Sequence, residues 1–418
     1  MYALNPTRER NLLWLLALTQ FTVIMDFMVM MPLGPQIMHA FTITPAAFAT
    51  AVSAYSWCSG LSGLFAATYI DRFDRRRLLL AVYALFALSN MGCALAGSFS
   101  LLLVARAFAG LTGGVLGSVI MAIVTDVIPP ARRGAATGTI MTAFSLAAIA
   151  GVPAGVMLGA HFSWAAPFVL LVALSLAIWF ACMRIVPSLS EHLARQAPPL
   201  KEVLPDLGRL LVFPRHLNAF ALTFVMMVSQ MIVIPFISPM LVANHGVEPQ
   251  QLSWIYMAGG AATFFTSRAI GRFADRYGRR RVFRIFAVLS VLPVLFVTHL
   301  PAMPFLLVVL FFPFFMVAVS GRMIPMQALM TTVPAPGHRG AFLSANSAVL
   351  ALGTGCGAWL GGLMLSVTPA GHIDGYGMNG WVAVALVLVA LVWINRVKAA
   401  DEPASTLDLG SAEVPASR

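Results

Sequence analysis

Runs of about twenty apolar residues, separated by short polar segments, dominate this chain. A bilayer core about 30 Å thick needs about 20 apolar residues in a helix, so each run predicts a transmembrane helix. We number the predicted spans 1–12 in chain order: 12–34, 46–69, 78–97, 101–124, 135–160, 166–186, 217–241, 251–271, 282–300, 304–326, 341–366 and 379–396.

The composition supports a membrane protein. Of the 418 residues, 60% are hydrophobic and 10% are charged, whereas a soluble domain is about one quarter charged. The net charge of +11 could suggest nucleic acid, but the basic residues form short clusters between apolar runs instead of one continuous face. We therefore predict contact with the lipid bilayer and no nucleic-acid partner. The cysteines lie in apolar runs without metal-ligand spacing, so neither a metal site nor a cofactor is predicted.

All lysines and arginines of the loops and termini lie on one side of the predicted topology. The opposite loops contain no Lys or Arg, and basic loops face the cytoplasm. This asymmetry predicts a multi-pass protein of a bacterial-type inner membrane with both termini in the cytoplasm. The opposite loops are near 35–45, 98–100, 161–165, 242–250, 301–303 and 367–378.

The longest polar interruption, residues 187–216, contains five prolines and divides the spans six and six. It predicts a cytoplasmic linker between one bundle at 1–186 and another at 217–396. Leucine and valine recur at helical spacing over 200–211, which predicts a short interfacial helix. The polar tail 397–418 predicts disorder.

Two sequence echoes indicate an internal duplication. The segment Asp71–Arg77 follows span 2, and the similar segment Asp275–Arg281 follows span 8, 204 residues later. The Pro-Arg-Gly segment after span 4 recurs after span 10 at an offset of 206. We therefore predict an all-α membrane protein of two pseudo-symmetric six-helix bundles, which is an architecture of secondary transporters.

The segment Gly271–Arg280 resembles the signature loop of the major facilitator superfamily. Arg106 with Gly110 and Gly113 resembles that family's fourth-helix motif, and the similarity is greatest to its twelve-span drug and sugar efflux group. In the first-half loop, Ala67 and Asp74 replace two glycines of the signature. The resemblance implies a proton-coupled transporter, not an enzyme, in which two halves rock around a central cavity.

Asp26 is the only acidic residue in the middle of any predicted span. A charge at that depth costs about 2.5–3.5 kcal/mol, so Asp26 needs a partner, a cavity or a proton. Arg106 is predicted at a similar depth, and we predict that the two residues couple transport to protons. The alternative is a structural ion pair that never titrates. Arg268 and Arg322 lie near inner helix ends and are expected to extend toward the surface.

The resemblance also implies that the basic loops are conformational latches. One loop aspartate, Asp71, would cap the start of span 11, while Arg75 would reach Asp126; the second half has Thr332 at the position of Asp126. The complete predicted set is Asp71, Arg72, Arg75, Asp126, Asp275, Arg276, Gly278 and Arg279. In span 5, Gly151, Pro153 and Gly155 resemble the efflux members' antiporter motif, with ordinary helix packing as the alternative.

Four further residues are candidates for the substrate cavity: Met30, Gln230, Tyr256 and Asn346. So few polar groups in an apolar pocket favour a small amphipathic or lipophilic substrate, and the span 5 motif favours its export. We expect the protein to function as a monomer. A proton-linked importer of a sugar, a metabolite or a metal such as Cu(I) is the first alternative, the metal being suggested by methionines in spans 1 and 7. A transport-inactive receptor or sensor is the second alternative.

Overall fold

The computed structural model describes residues 5–129, 132–190, 193, 205, 208–335 and 338–400. Within them, twelve long helical segments coincide with the twelve predicted spans and form the two six-helix bundles. The spans are, in order, Pro6–Met30, Pro45–Tyr69, Arg75–Ala94, Phe99–Val127, Arg133–His161, Ala166–Ile185, Pro214–His245, Leu252–Tyr277, Arg279–Thr298, Phe305–Met330, Arg339–Leu363 and Tyr376–Arg396.

Ten helices of the described chain are each long and apolar enough to cross a membrane. Span 2 reaches that standard together with the short helix Gly34–Phe41, which meets it at 117°. Span 8 does not reach it, because Thr263, Thr266 and Arg268 interrupt its apolar surface.

Residues at the helix starts explain where several spans begin. Thr44 caps span 2 by accepting a hydrogen bond from the backbone N–H of Ala47 at 3.2 Å, and Pro45 occupies the first helical position. Ser98 caps span 4 in the same way, through the N–H of Leu101 at 3.3 Å. These side chains satisfy donors that a helix start would otherwise leave without acceptors.

Two spans are interrupted inside the bundle. Span 5 contains a π-helical turn, Ala147–Gly151, between the helices Arg133–Leu146 and Val152–His161. Span 7 breaks after Pro214–Met231, passes through the 3₁₀ turn Ile234–Phe236 and continues as Ile237–His245. Interruptions of this kind occur at functional sites of helical and membrane proteins.

Two 3₁₀ turns and two short strands lie at the ends of spans or between them. The 3₁₀ turn Ile70–Arg72 follows span 2, and the 3₁₀ turn Ile394–Arg396 ends span 12. Two antiparallel strands, Ser366–Val367 and Ile373–Asp374, pair Ser366 with Asp374 between spans 11 and 12. Of the predicted interfacial helix, residues 205 and 208–211 are described and helical; its other residues, and the tail from 401 onward, lie outside the described residues.

The hydrophobic core is continuous across both bundles at one end of the molecule only. We call the end with the arginine-rich loops the basic end and the opposite end the far end. At the far end, Met30 and Phe48 of the first half share one core with Ile232 and Leu252 of the second. Toward the basic end, the buried residues form two separate cores, each built by one half. The two halves therefore share one core at the far end and have a core each toward the basic end, where Leu64 of span 2 packs against the second-half core.

Candidate functional site

Asp26 and Arg106 form a buried ion pair between spans 1 and 4. The guanidinium Nη1 of Arg106 donates a hydrogen bond to Oδ1 of Asp26 at 2.6 Å, and both side chains are 0% exposed. The structure therefore brings together the two residues for which the sequence predicts proton coupling. Burial in a medium of low dielectric strengthens such a pair and makes the loss of either partner costly.

Glycines of span 4 place a third residue, Tyr55, against this pair. A Cβ on Gly110 would collide with the backbone carbonyl of Tyr55, so span 2 can approach span 4 closely only because residue 110 is glycine. The ring of Tyr55 then lies 4.3 Å from the guanidinium carbon of Arg106, which is a cation–π contact. The Tyr55 hydroxyl donates to the Val23 carbonyl at 3.3 Å, fixing the ring against span 1.

The pair leaves several of its polar atoms without partners. Oδ2 of Asp26 and both Nε and Nη2 of Arg106 are buried and make no hydrogen bond in the described chain. A buried carboxylate oxygen without a hydrogen bond is unfavourable, and either a proton on that oxygen or an additional donor would satisfy it. The thiol of Cys93, itself fully buried, lies beside Arg106. Sequence analysis did not single out Tyr55 or Cys93, because neither belongs to a recognisable local pattern.

Span 5 presents a glycine groove that receives span 1. The glycines at 151, 155 and 159 face, in order, Met25, Val29 and Leu33, and both series advance by four residues. A Cβ on Gly155 would overlap a methyl group of Val29. The π turn ends at Gly151, and the buried Pro153 follows within the first turn of the next helix. The predicted motif residues therefore pack against the helix segment that carries Asp26.

The four predicted cavity residues lie in different environments. Met30 is buried in the far-end core. The hydroxyls of Tyr256 and Ser238 share a hydrogen bond of 2.7 Å, and Oδ1 of Asn346 accepts one from Thr223 at 2.8 Å. Gln230 is half-buried, and its Oε1 has no hydrogen-bond partner in the described chain. Of the four, Gln230 alone is a half-buried residue whose acceptor oxygen is itself buried and without a hydrogen-bond partner in the described chain.

The break in span 7 is held by two residues of span 12 that the sequence analysis missed. Tyr376 donates from its hydroxyl to the carbonyl of Val233 at 3.0 Å. Asn379 donates from its amide to the carbonyls of Ile232 at 2.8 Å and Gly361 at 3.1 Å. Broken helices in membranes need such replacements for their lost backbone hydrogen bonds. The only sequence signal was an asparagine within an apolar run.

In the first-half loop, Arg75 binds two carboxylates. Its Nε donates to Asp126 at 2.9 Å and its Nη2 to Asp71 at 2.5 Å, so the structure brings Arg75 to Asp126. Asp71 does not cap span 11 here: its side chain is 58% exposed, and span 11 begins at His338 without a side-chain cap. This arrangement agrees with the separate cores of the two halves toward the basic end.

Asp74 occupies one of the two glycine positions of the signature loop and has a structural role there. It caps span 3 by accepting from the N–H of Arg77 at 2.8 Å, and it accepts from Ser188 at 2.8 Å and from the N–H of Leu189 at 3.1 Å. Burial alone would raise the pKa of Asp74, but these hydrogen bonds lower it below its usual value.

The second-half loop has a weaker network. Arg279 lies 3.9 Å from Asp275, whose side chain is 70% exposed, and donates to the carbonyl of Ala328 at 3.0 Å. Gly278 adopts φ +92°, which favours glycine at this signature position. Arg276 lies 5.5 Å from the ring of Tyr277, whereas Arg72 in the first half is exposed.

The expectation that Arg322 reaches the surface was wrong. It is 1% exposed inside the second bundle, where Nη1 donates to the Ser290 hydroxyl at 3.1 Å and Nε has no partner in the described chain. The error arose because depth along a helix does not determine which face a side chain occupies. Arg268 is exposed.

Three methionines that suggested Cu(I) are packing residues. Met227 and Met231 of span 7 contact Gly353 and Gly357 of span 11, respectively, and Met25 contacts Gly151. Met227 and Met231 approach their glycines with Cβ, whereas Met25 approaches Gly151 with Cγ and Sδ. The described residues contain no group of three or more His, Cys, Asp or Glu side chains that could hold a metal ion.

The two bundles, the broken spans and the buried ion pair define a membrane transporter of the twelve-helix type. The Major Facilitator Superfamily model matches residues 16–217 and 219–416, and the chain belongs to this family of transporters, which are not enzymes. Over 361 residues it is 25% identical to a probable sugar efflux transporter of Helicobacter acinonychis, covering 86% of this chain and 88% of the relative.

Another relative and one solved structure are also similar. A probable sugar efflux transporter of Mannheimia succiniciproducens is 25% identical over 53% of this chain and 54% of its own length. The crystal structure of a bacterial homologue of the human lysosomal transporter Spinster, inward-facing and occupied, has a TM-score of 0.76. It is 14% identical and covers 94% of this chain and 97% of that one, so it supports the fold alone.

Proposed function

We propose that this protein is a proton-coupled exporter that works by alternating access in a bacterial-type inner membrane. The observation that carries the proposal is the Asp26–Arg106 pair, buried within the bundle with free polar atoms on both sides. An ionisable residue inside a membrane is expensive and marks a pathway for ions or substrate. Asp26 binds and releases the coupling proton, and Arg106 competes with that proton for the carboxylate.

The coupling follows from electrostatics. When Asp26 is ionised, Arg106 neutralises it, and the pair holds spans 1 and 4 together at 2.6 Å. When Asp26 takes up a proton, this attraction is lost, and the released guanidinium keeps its cation–π contact with Tyr55. Span 1 is then free to move along the glycine groove of span 5. The proton therefore changes the relative stability of two packings of the same helices.

The far-end core and the separate basic-end cores support an inward-facing state. With the basic end in the cytoplasm, as the distribution of arginine predicts, both termini are cytoplasmic and the halves are open to the cell interior. The opposite state requires the basic-end loops to meet. Asp71, which is exposed in this state, then becomes available to the uncapped start of span 11 and acts as a latch.

The substrate is a small molecule, taken from the cytoplasm or the inner leaflet and exported by a monomer. The half-buried Gln230 provides an acceptor, and the surrounding residues are mostly apolar, which suits an amphipathic or lipophilic compound. The names of the relatives make sugar efflux a specific second candidate. A proton-linked importer would use the same pair and the same proton gradient, with substrate and proton moving inward together.

The test is transport in proteoliposomes with a pH gradient and no membrane potential, using ethidium as the lipophilic probe and glucose and lactose as sugar probes. Wild type is compared with Asp26→Asn, and Asp374→Asn is the matched control because it removes an exposed carboxylate far from the pair. We expect gradient-driven transport in wild type and in the control, and its loss in Asp26→Asn. Equal gradient-driven transport in all three proteins would remove Asp26 from the mechanism. Absence of transport of any probe by wild type would favour the receptor alternative.

A further inference from the structure

A cationic cavity opens at the basic end of the second bundle, where span 9 begins. Its volume is about 630 Å³. Four arginines and a single carboxylate contribute to its walls, which are lined by Ala274, Asp275, Gly278, Arg279, Arg280, Arg281, Arg284 and Leu329. The charge of this lining suits an anionic ligand.

The first half of the duplicated chain balances its charge at the equivalent place, and the second half does not. Residues 71–80 contain four arginines and two aspartates, whereas residues 275–284 contain five arginines and one aspartate. The net charge of the loop is therefore +2 in the first half and +4 in the second. Two substitutions at the offset of 204 account for the difference: Asp74 corresponds to Gly278, and Leu80 corresponds to Arg284.

The arginines of the second half bind mainly neutral acceptors. Arg279 donates to the backbone carbonyl of Ala328 at 3.0 Å, and Arg284 donates to the side-chain oxygen of Asn395. In the first half, Arg75 is the counterpart of Arg279 and binds two carboxylates. The exposed Arg281 faces the cavity opening. Among the described residues, Asp275 is the one carboxylate of the lining, so the cavity presents more donors than carboxylates to an anion.

The exposed face of span 9 identifies the source of the anion. Arg281 and Arg284 lie three residues apart on this face, and the same face continues away from the basic end as an apolar surface. Val288 is 58% exposed and Leu292 is 75% exposed. A soluble phosphate would contact the arginines only. A phospholipid would contact the arginines with its headgroup and the apolar face with its acyl chains.

We propose that this cavity binds the headgroup phosphate of an anionic phospholipid, whose acyl chains lie along Val288 and Leu292. The site is on the surface of the second bundle, apart from the Asp26–Arg106 pair of the first. Arginine clusters at the cytoplasmic end of a transmembrane helix attract anionic lipid by about 1 kcal/mol each. Removing one arginine should therefore weaken binding roughly fivefold, and removing both should weaken it roughly 25-fold.

The test measures phosphatidylglycerol binding to the full-length protein in phosphatidylcholine nanodiscs with increasing phosphatidylglycerol content. Bound lipid is counted by native mass spectrometry, and the apparent Tm is followed in parallel. Arg281→Gln/Arg284→Gln is compared with wild type and with Arg77→Gln, the first-half counterpart of Arg281. Because Arg281 and Arg284 are exposed, the double variant should fold; Arg281→Lys/Arg284→Lys keeps the charge and controls for packing.

We expect phosphatidylglycerol to bind and stabilise wild type, Arg77→Gln and the double-lysine variant, and to bind the double-glutamine variant about 25-fold more weakly. Undiminished binding to the double-glutamine variant would overturn the proposal. So would an equal stabilisation of wild type by inorganic phosphate in pure phosphatidylcholine, since that result would identify a free anion as the ligand. Equal weakening by Arg77→Gln would show a general charge effect and would also contradict the site.

Discussion

Replacing Arg106 by methionine should destabilise the protein strongly, because it leaves Asp26 alone in the bundle. The two side chains are 0% exposed and 2.6 Å apart. Removing one partner of such a pair costs about 3–5 kcal/mol. The loss of the cation–π contact with Tyr55, at 4.3 Å, adds about 1–2 kcal/mol. If the carboxylate takes up a proton in the variant, the cost will fall toward the lower limit.

Thermal unfolding of the purified protein in detergent measures this effect. At roughly 2 °C per kcal/mol for a large domain, the combined cost of about 4–7 kcal/mol in Arg106→Met should lower the apparent Tm by about 8–14 °C at pH 7. Asp26→Asn/Arg106→Met should recover at least half of that loss, because no charge remains at the site. Non-additivity of this sign is the signature of a direct interaction.

Arg322→Met is the matched control, since the same chemical change removes a buried arginine whose described partner is the neutral Ser290 at 3.1 Å. We expect Arg322→Met to leave the apparent Tm unchanged or to raise it, because it removes a buried cation that lacks a carboxylate partner in the described chain. The reasoning would be refuted if Arg106→Met matched wild type, or if the double variant were less stable than Arg106→Met.

Three further predictions concern packing, hydrogen bonding and pH. Gly155→Leu should abolish transport and lower stability by at least 1–3 kcal/mol, because its side chain would overlap Val29; wild-type transport by this variant would contradict the glycine groove. Asn379→Ala should cost about 1–3 kcal/mol in unfolding free energy by leaving the carbonyls of Ile232 and Gly361 without donors; Asn379→Asp at neutral pH should not rescue it, because a carboxylate cannot donate. Asp74→Ala should cost about 1 kcal/mol at pH 7 through the lost helix cap. Because the pKa of Asp74 is lowered in the folded state, that difference should be constant above about pH 4 and disappear as the pH falls below it; a difference that grew with acidity would have the wrong sign.

Much of the fold could be predicted from the sequence because bilayer thickness restricts spanning elements to long apolar helices. Every predicted span corresponds to a helix. The similar depths predicted for Asp26 and Arg106 in their spans agree with the ion pair that they form. The interruptions at Ala147–Gly151 and Ile232–Val233 were not predicted. They depend on hydrogen bonds from other helices, as Asn379 shows for span 7, and no local pattern reports such contacts.

The remaining differences between expectation and structure have separate physical causes. Asp71 was expected at the start of span 11, but here it pairs with Arg75, and each half has its own core toward the basic end. Arg322 was misplaced because its face, and not its depth, decides its burial. Tyr55 was missed because its position beside Arg106 depends on the glycines of a different span.

The most direct test of proton coupling separates substrate exchange from gradient-driven transport in proteoliposomes. Exchange of labelled for unlabelled probe at equal pH on both sides needs the halves to rock around bound substrate, but it needs no net movement of protons. We predict that Asp26→Asn retains exchange at a rate close to wild type and loses accumulation driven by a pH gradient. Retention of both activities, or loss of both in a correctly folded protein, would contradict the assignment of Asp26 as the proton carrier.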